Sequence, residues 1–150
     1  MQFGNANLFH ILAMTALALM VGIAAADAAP LAVTGGWFRA LPAAVPSGGY
    51  FTLHNGGDKP VTLMGAQSPA CGHLMLHKSM NHGGMGMMEH VDSVKVEAGD
   101  TLTFAPGGYH LMCMDSKPIL KAGARVPVTL QFAGGETVTA DFAVRNAAGK

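Results

Sequence analysis

Charge is scarce in this 150-residue chain and nowhere grouped: nine Lys and Arg stand against nine Asp and Glu, 12% of the residues, for a net charge of zero. The lack of any basic run argues against nucleic acid as a partner. A glycine-rich phosphate loop, a serine-nucleophile elbow and paired carboxylates beside a histidine are all missing. The common phosphotransferase and hydrolase chemistries therefore have no residues to work with, and we expect no enzyme. Only two cysteines occur, Cys71 and Cys113. That is too few for a multi-thiolate zinc cluster or a dense disulfide scaffold. Beyond residue 30 no segment carries a convincing helical period.

Charged side chains are also absent from residues 1–26, which are almost wholly apolar from residue 7 onward, with His10 the main interruption. Small residues then take over in GIAAADAA, as in a signal-peptide cleavage region. Cuts after Ala26 or Ala28 satisfy the small-x-small rule, whereas Pro30 opposes a cut after Ala29. The leading MQFGNAN lacks Lys and Arg, so an uncleaved membrane anchor is the alternative. Either outcome exports the domain. We expect a signal peptide over residues 1–28 and one domain over residues 29–150, large enough for a modest hydrophobic core.

What fills that domain is short apolar runs punctuated by Gly, Pro, Asn and Asp. LAVTGGWFRAL, YFTLHN, VTLMGAQ, HLMLH, MEHVDSVKVEAGD, TLTF, YHLMCMD, VPVTLQF and TVTADFAV read as eight or nine strands at roughly ten-residue spacing, which predicts an antiparallel sandwich or barrel. The stretch from Lys78 to about Gly86 is read as a Gly/Met/His-rich loop. Gly83, Gly84 and Gly86 would each cost a helix about 1 kcal/mol relative to Ala.

One stretch concentrates the chemistry. Residues 71–114 hold five of the seven histidines, seven of the eleven methionines and both cysteines. Thioether and imidazole with few carboxylates form a soft ligand set, which selects Cu(I) over Mg, Ca or Mn. Zinc sites lean on thiolate, imidazole and carboxylate instead. Strand alternation puts His73, Met75 and His77 on one face of their run and Leu74 and Leu76 on the other. In YHLMCM it sets His110, Met112 and Met114 against Tyr109, Leu111 and Cys113. The leucine side is the natural core side. His82, Met85 and Met87, with Met80 and His90, are either auxiliary ligands or exposed loop residues. His54 reads as structural, and Trp37 and Phe38 as packing residues.

The spacing His77-x10-Met88-x21-His110-x-Met112 resembles the signature of the periplasmic copper chaperone family PCu(A)C. GWFRA, YFTLHNGGD, Leu76-His77, EAGDTLTFAPGGYHLMCMD and VPVTLQF resemble it as well, so the likeness runs from Leu31 to Val144. It implies a cupredoxin-like Greek-key β-sandwich binding one Cu(I) at its rim through His77, Met88, His110 and Met112. It also implies a monomer in the periplasm. Such a chaperone delivers copper to the apo CuA domain of cytochrome c oxidase subunit II, alongside Sco-type proteins. A copper buffer for resistance and a blue-copper electron carrier are the competing readings.

Cys71 and Cys113 depart from the family pattern. Two cysteines in an exported chain suggest one bridge. If His77 and His110 share a metal, the strands bearing these cysteines approach each other. Parity opposes the pairing, since it puts Cys71 on the His77 face and Cys113 opposite His110, and an irregularity at Gly72 would have to reconcile them. Otherwise Cys113 is a free thiol beside Met112 and a candidate ligand.

Overall fold

The computed structural model describes residues 30–150, so the expected signal peptide and its cuts after Ala26 or Ala28 lie outside the described residues. Ten strands follow in order: β1 (Leu31–Arg39), β2 (Ser47–Asn55), β3 (Val61–Gln67), β4 (His73–His82), β5 (Met85–His90), β6 (Val94–Val96), β7 (Thr101–Phe104), β8 (Tyr109–Met114), β9 (Arg125–Phe132) and β10 (Thr137–Arg145). No helix occurs among the described residues.

The strands run β5-β4-β8-β2-β1-β10-β9-β3-β6, with β7 paired to β2 off this path. β8 is inserted between β4 and β2, the non-sequential placement that a Greek key requires. β1 makes the corner. Its register with β2 slips between Thr34 and Trp37, and beyond the slip it pairs in parallel with β10. Gly35 takes a positive φ of 62° at the slip. Strands that switch sheets do so through such irregularities. The two leaves then close on one another: Phe38 of β1 and Phe51 of β2 meet the ring of Phe142 of β10 at 5.5 and 5.7 Å between centroids. These rings join Leu53, Leu63, Leu76, Leu111, Val128 and Leu130 in a single buried cluster. Burying one such side chain contributes about 1.5–3 kcal/mol. The architecture is a cupredoxin-like β-sandwich.

The strand faces follow the alternation expected from the leucines. Leu76, Leu111 and Cys113 are buried in the core, while Met75, His77, Met112 and Met114 are only partly buried on the other side. Two segments depart from expectation. The presumed loop from Lys78 to Gly86 is instead a β-hairpin, in which β4 runs on to His82 and β5 starts at Met85. Gly83 and Gly84 both have positive φ, 61° and 89°. That is the two-residue turn that suits the right-handed twist of paired strands. Gly84 N–H donates to Asn81 Oδ1 at 3.1 Å to close it. The glycines that rule out a helix are thus the ones that make the hairpin. MEHVDSVKVEAGD, expected as one strand, is divided between β5 and β6. Together these changes raise the strand count to ten.

Candidate metal centre

The β4–β8 pairing assembles the centre. In register, His77 faces His110, Met75 faces Met112 and His73 faces Met114. On the other side of β4, His77 faces His90 and Ser79 faces Met88 of β5. Side chains directly opposite in antiparallel strands have Cβ atoms about 4.5–5.5 Å apart, so three adjacent strands bring three imidazoles into one row. The His77 ring lies 5.8 Å from that of His110 and 5.6 Å from that of His90, centroid to centroid.

Two ring nitrogens in this row are buried with no hydrogen-bond partner, His77 Nδ1 and His110 Nε2. The state of His110 follows from its other nitrogen. Nδ1 lies 3.1 Å from the Gly108 carbonyl oxygen. A carbonyl only accepts, so Nδ1 carries a proton, and in the neutral ring Nε2 is the nitrogen that presents a lone pair. Metal-binding histidines are commonly oriented by a carbonyl in this way. A buried polar group without a partner costs about 1–3 kcal/mol. Two such atoms side by side are therefore a deficit that a cation would relieve. His77 is held below its ordinary pKa of 6.5, first by burial and then by the proximity of His110 and His90, which keeps its lone pair free at neutral pH.

His110 is 6% exposed and Met88 is 63% exposed. Both line one open cleft with Met112, Ser79, Gly48, Tyr50 and Arg39. Opposite Met112 on β2 stands Gly48. Tyr50 covers that glycine, its hydroxyl filling the space a side chain there would take, and its ring packs tilted against Trp37 at 4.7 Å between centroids. Trp37 in turn lies under Arg39 and Arg145, at 5.8 and 4.6 Å from ring to guanidinium carbon. Among the described residues no group of three or more His, Cys, Asp and Glu side chains is arranged to hold a metal. The cleft offers methionine sulfurs beside the His110 imidazole, and a donor set of two imidazoles and two thioethers fits a soft monovalent cation.

Met88, His110 and Met112 line one cleft, and His77 is the neighbour of His110 across the β4–β8 pairing. His82, Met85 and Met87 do not join them: they lie farther out along the hairpin, His82 opposite Met85 and Met87 opposite Met80. His90, grouped with these from the sequence, belongs by position to the row at the centre. Its Nε2 lies 3.3 Å from Asp92 Oδ1. Arg39 and Tyr50 escaped the sequence reading. Trp37 and Arg39 are two apart on one strand, as are Gly48 and Tyr50, and this alternation was the available signal. His54 instead bonds the Thr101 hydroxyl at 3.0 Å, joining β2 to β7.

Behind the centre, Cys71 and Cys113 are joined by a disulfide, with Cα atoms 5.4 Å apart. The parity conflict does not arise, because β4 begins only at His73 and Cys71 is outside the alternation. Gly72 makes the junction. Its N–H donates to the carbonyl oxygens of Met114 and Asp115, at 2.9 and 3.1 Å. A Cβ there would stand 2.8 Å from that of Asp115, too close for any other residue.

Known proteins resemble this chain in sequence and fold. The LpqE-like family matches residues 31–144. A protein of Leifsonia xyli subsp. xyli, described by its name as a lipoprotein, is 32% identical over 118 residues, 78% of this chain and 70% of its own length. The solution structure of Cu(I)-DR1885 from Deinococcus radiodurans is 35% identical, with a TM-score of 0.64 over 80% of this chain and 81% of that one. The copper-bound PCuAC domain from PmoF2 is alike in fold, with a TM-score of 0.65 at 24% identity over 79% of this chain and 94% of that domain. The chain belongs to the LpqE-like family, that of the PCu(A)C domains.

Proposed function

We propose that this protein is an exported Cu(I) chaperone, working in the periplasm, that holds one copper ion through His77, Met88, His110 and Met112. The observation that carries this reading is the pair of buried, unpartnered imidazole nitrogens, His77 Nδ1 and His110 Nε2, with Met88 and Met112 lining the same cleft as His110. A copper-bound relative at 35% identity supports it. Thioethers are neutral and take no proton at physiological pH, so only the two imidazoles compete with protons for the metal. The copper is cargo. His110, fixed by Gly108 in the wall of the cleft, is the retaining ligand, and Met88, mostly exposed on β5, is the releasing one. An acceptor's ligand enters from the Met88 side, so the ion passes on without ever being free.

The acceptor we propose is the apo CuA domain of cytochrome c oxidase, directly or with a Sco-type thiol protein. A blue-copper electron carrier needs a Cys thiolate at the metal, and Cys113 is buried in the disulfide. Anaerobic titration with Cu(I) against a chromophoric chelator, followed by mixing with an apo CuA domain, tests the reading. One equivalent should bind tightly and then appear as the violet CuA chromophore once the domain is oxidised. Tight binding without transfer would make the protein a copper buffer instead.

A further inference from the structure

The hairpin has two faces, and the centre described above uses one. His77, Ser79, Met88 and His90 lie on that face. On the other, Met80 stands opposite Met87, and His82 opposite Met85, the next like-facing pair along. Closer to the body of the protein this second face is the core side, carrying Leu74 and Leu76. The hairpin outruns the core after Lys78, so the same face emerges into solvent lined with sulfur. Met85 is 70% exposed and Met87 53% exposed. Single exposed methionines are unremarkable, but two exposed and one half-buried on one face, with an exposed imidazole among them and none in the core cluster, stabilise no core.

The register fixes the shape of this group. Opposite Cβ atoms are about 5 Å apart, and successive like-facing residues along a strand about 6.8 Å apart. The four Cβ atoms therefore mark a rectangle whose centre is about 4 Å from each corner. A methionine sulfur, two bonds beyond its Cβ, can bend over that centre, and so can an imidazole nitrogen. Three thioethers and one imidazole are softer than the donor set of the first centre, and they select a monovalent d10 cation over zinc or any hard ion.

We propose that Met80, His82, Met85 and Met87 form a second, weaker site for Cu(I), on the face of the hairpin opposite His77 and Met88. The four ligands are on a two-stranded ribbon, all but the half-buried Met80 exposed, with no buried nitrogen awaiting a partner, so the ion is held less tightly and exchanges faster. Met87 and Met88 are consecutive and point to opposite faces. The two sites thus share β5, and the outer one is positioned to collect copper at the hairpin.

The inference does not rest on the ligand assignment of the first site, and one titration separates them. The protein, labelled with 13C at the methionine methyl groups, is titrated with Ag(I) as a redox-inert probe of the same charge and softness. The first equivalent should shift the Met88 and Met112 methyls, which tests the proposed function. A second equivalent, binding at least tenfold more weakly, should shift those of Met80, Met85 and Met87, which tests this inference alone. The M80L/M85L/M87L variant should keep the first equivalent and lose the second. His82→Asn should weaken the second at least tenfold without touching any sulfur. A second equivalent that moved Met75 and Met114 instead, or that persisted in the triple leucine variant, would overturn the outer site. So would a titration that ended at one equivalent.

Discussion

β8 and β5 flank the same strand, and each delivers ligands to the same cleft, but they deliver them differently. β8 is clamped between β4 and β2, its Leu111 and Cys113 are fully buried, and its His110 is 6% exposed and tied to Gly108. β5 is an edge strand, exposed at every one of its six positions. One side of the centre is therefore built into the core, and the other touches little but β4. On the proposed function, a purely rigid site would hold copper too well to give it up, and a purely exposed one would hold it too poorly to carry it. Joining both kinds of strand to β4 would then give retention on one side and release on the other.

The comparison breaks most completely if the rigid side loses its backing. The disulfide closes a sequence separation of 42 residues and fastens the start of β4 to β8. In the chain-entropy view its removal costs about 4 kcal/mol. Urea unfolding of C71S/C113S should show that loss. A loss below about 1 kcal/mol would mean that β4 and β8 hold each other without it. Next come the ligands. His110→Ala or Met112→Ala should weaken Cu(I) binding at least tenfold, about 1.4 kcal/mol. Chelator competition measures this, and wild-type curves from both variants would remove those residues from the site. Met88→Ala should lower affinity less than either and change the rate of transfer to an acceptor more, as a stopped-flow mixing experiment would show. Equal effects at all three positions would erase the distinction between the strands.

The smallest effect is on pH. Burial, then His110, then His90 hold the His77 pKa below 6.5. The unfolded chain therefore takes a proton at His77 before the folded one does. The stability this group contributes is fully present above about pH 6.5 and is lost as pH falls from there through the lowered folded value. Cu(I) affinity follows the same direction, since the bound ring must be neutral. His90→Ala removes one of the causes, so it should raise the His77 pKa, narrow the pH window over which stability is lost and start the decline in Cu(I) affinity at a higher pH. NMR titration of the His77 ring checks this directly.

The sequence carried the strands, the faces and the four-residue spacing because alternation and ligand type are local. Leu74 and Leu76 declare the core side of β4 without any knowledge of β8. The hairpin was hidden because Gly83-Gly84 suits a loop and a two-residue turn equally, and only the pairing of Met80 with Met87 decides between them. The bridge between Cys71 and Cys113 was legible in the sequence, but the face of Cys71 was misread because parity was extended past the point where β4 begins. The roles of Arg39 and Tyr50 depend on which strands become neighbours across β1 and β2, and that is set by long-range packing.

Everything about the centre turns on two nitrogens. Long-range 1H–15N NMR of the histidine rings, recorded anaerobically before and after one equivalent of Cu(I), observes them individually. The account predicts that His110 Nε2 and His77 Nδ1 move to metal-bound shifts while His110 Nδ1 keeps its proton and its bond to Gly108. Unchanged His77 and His110 rings, with shifts at His82 or His73 instead, would contradict it.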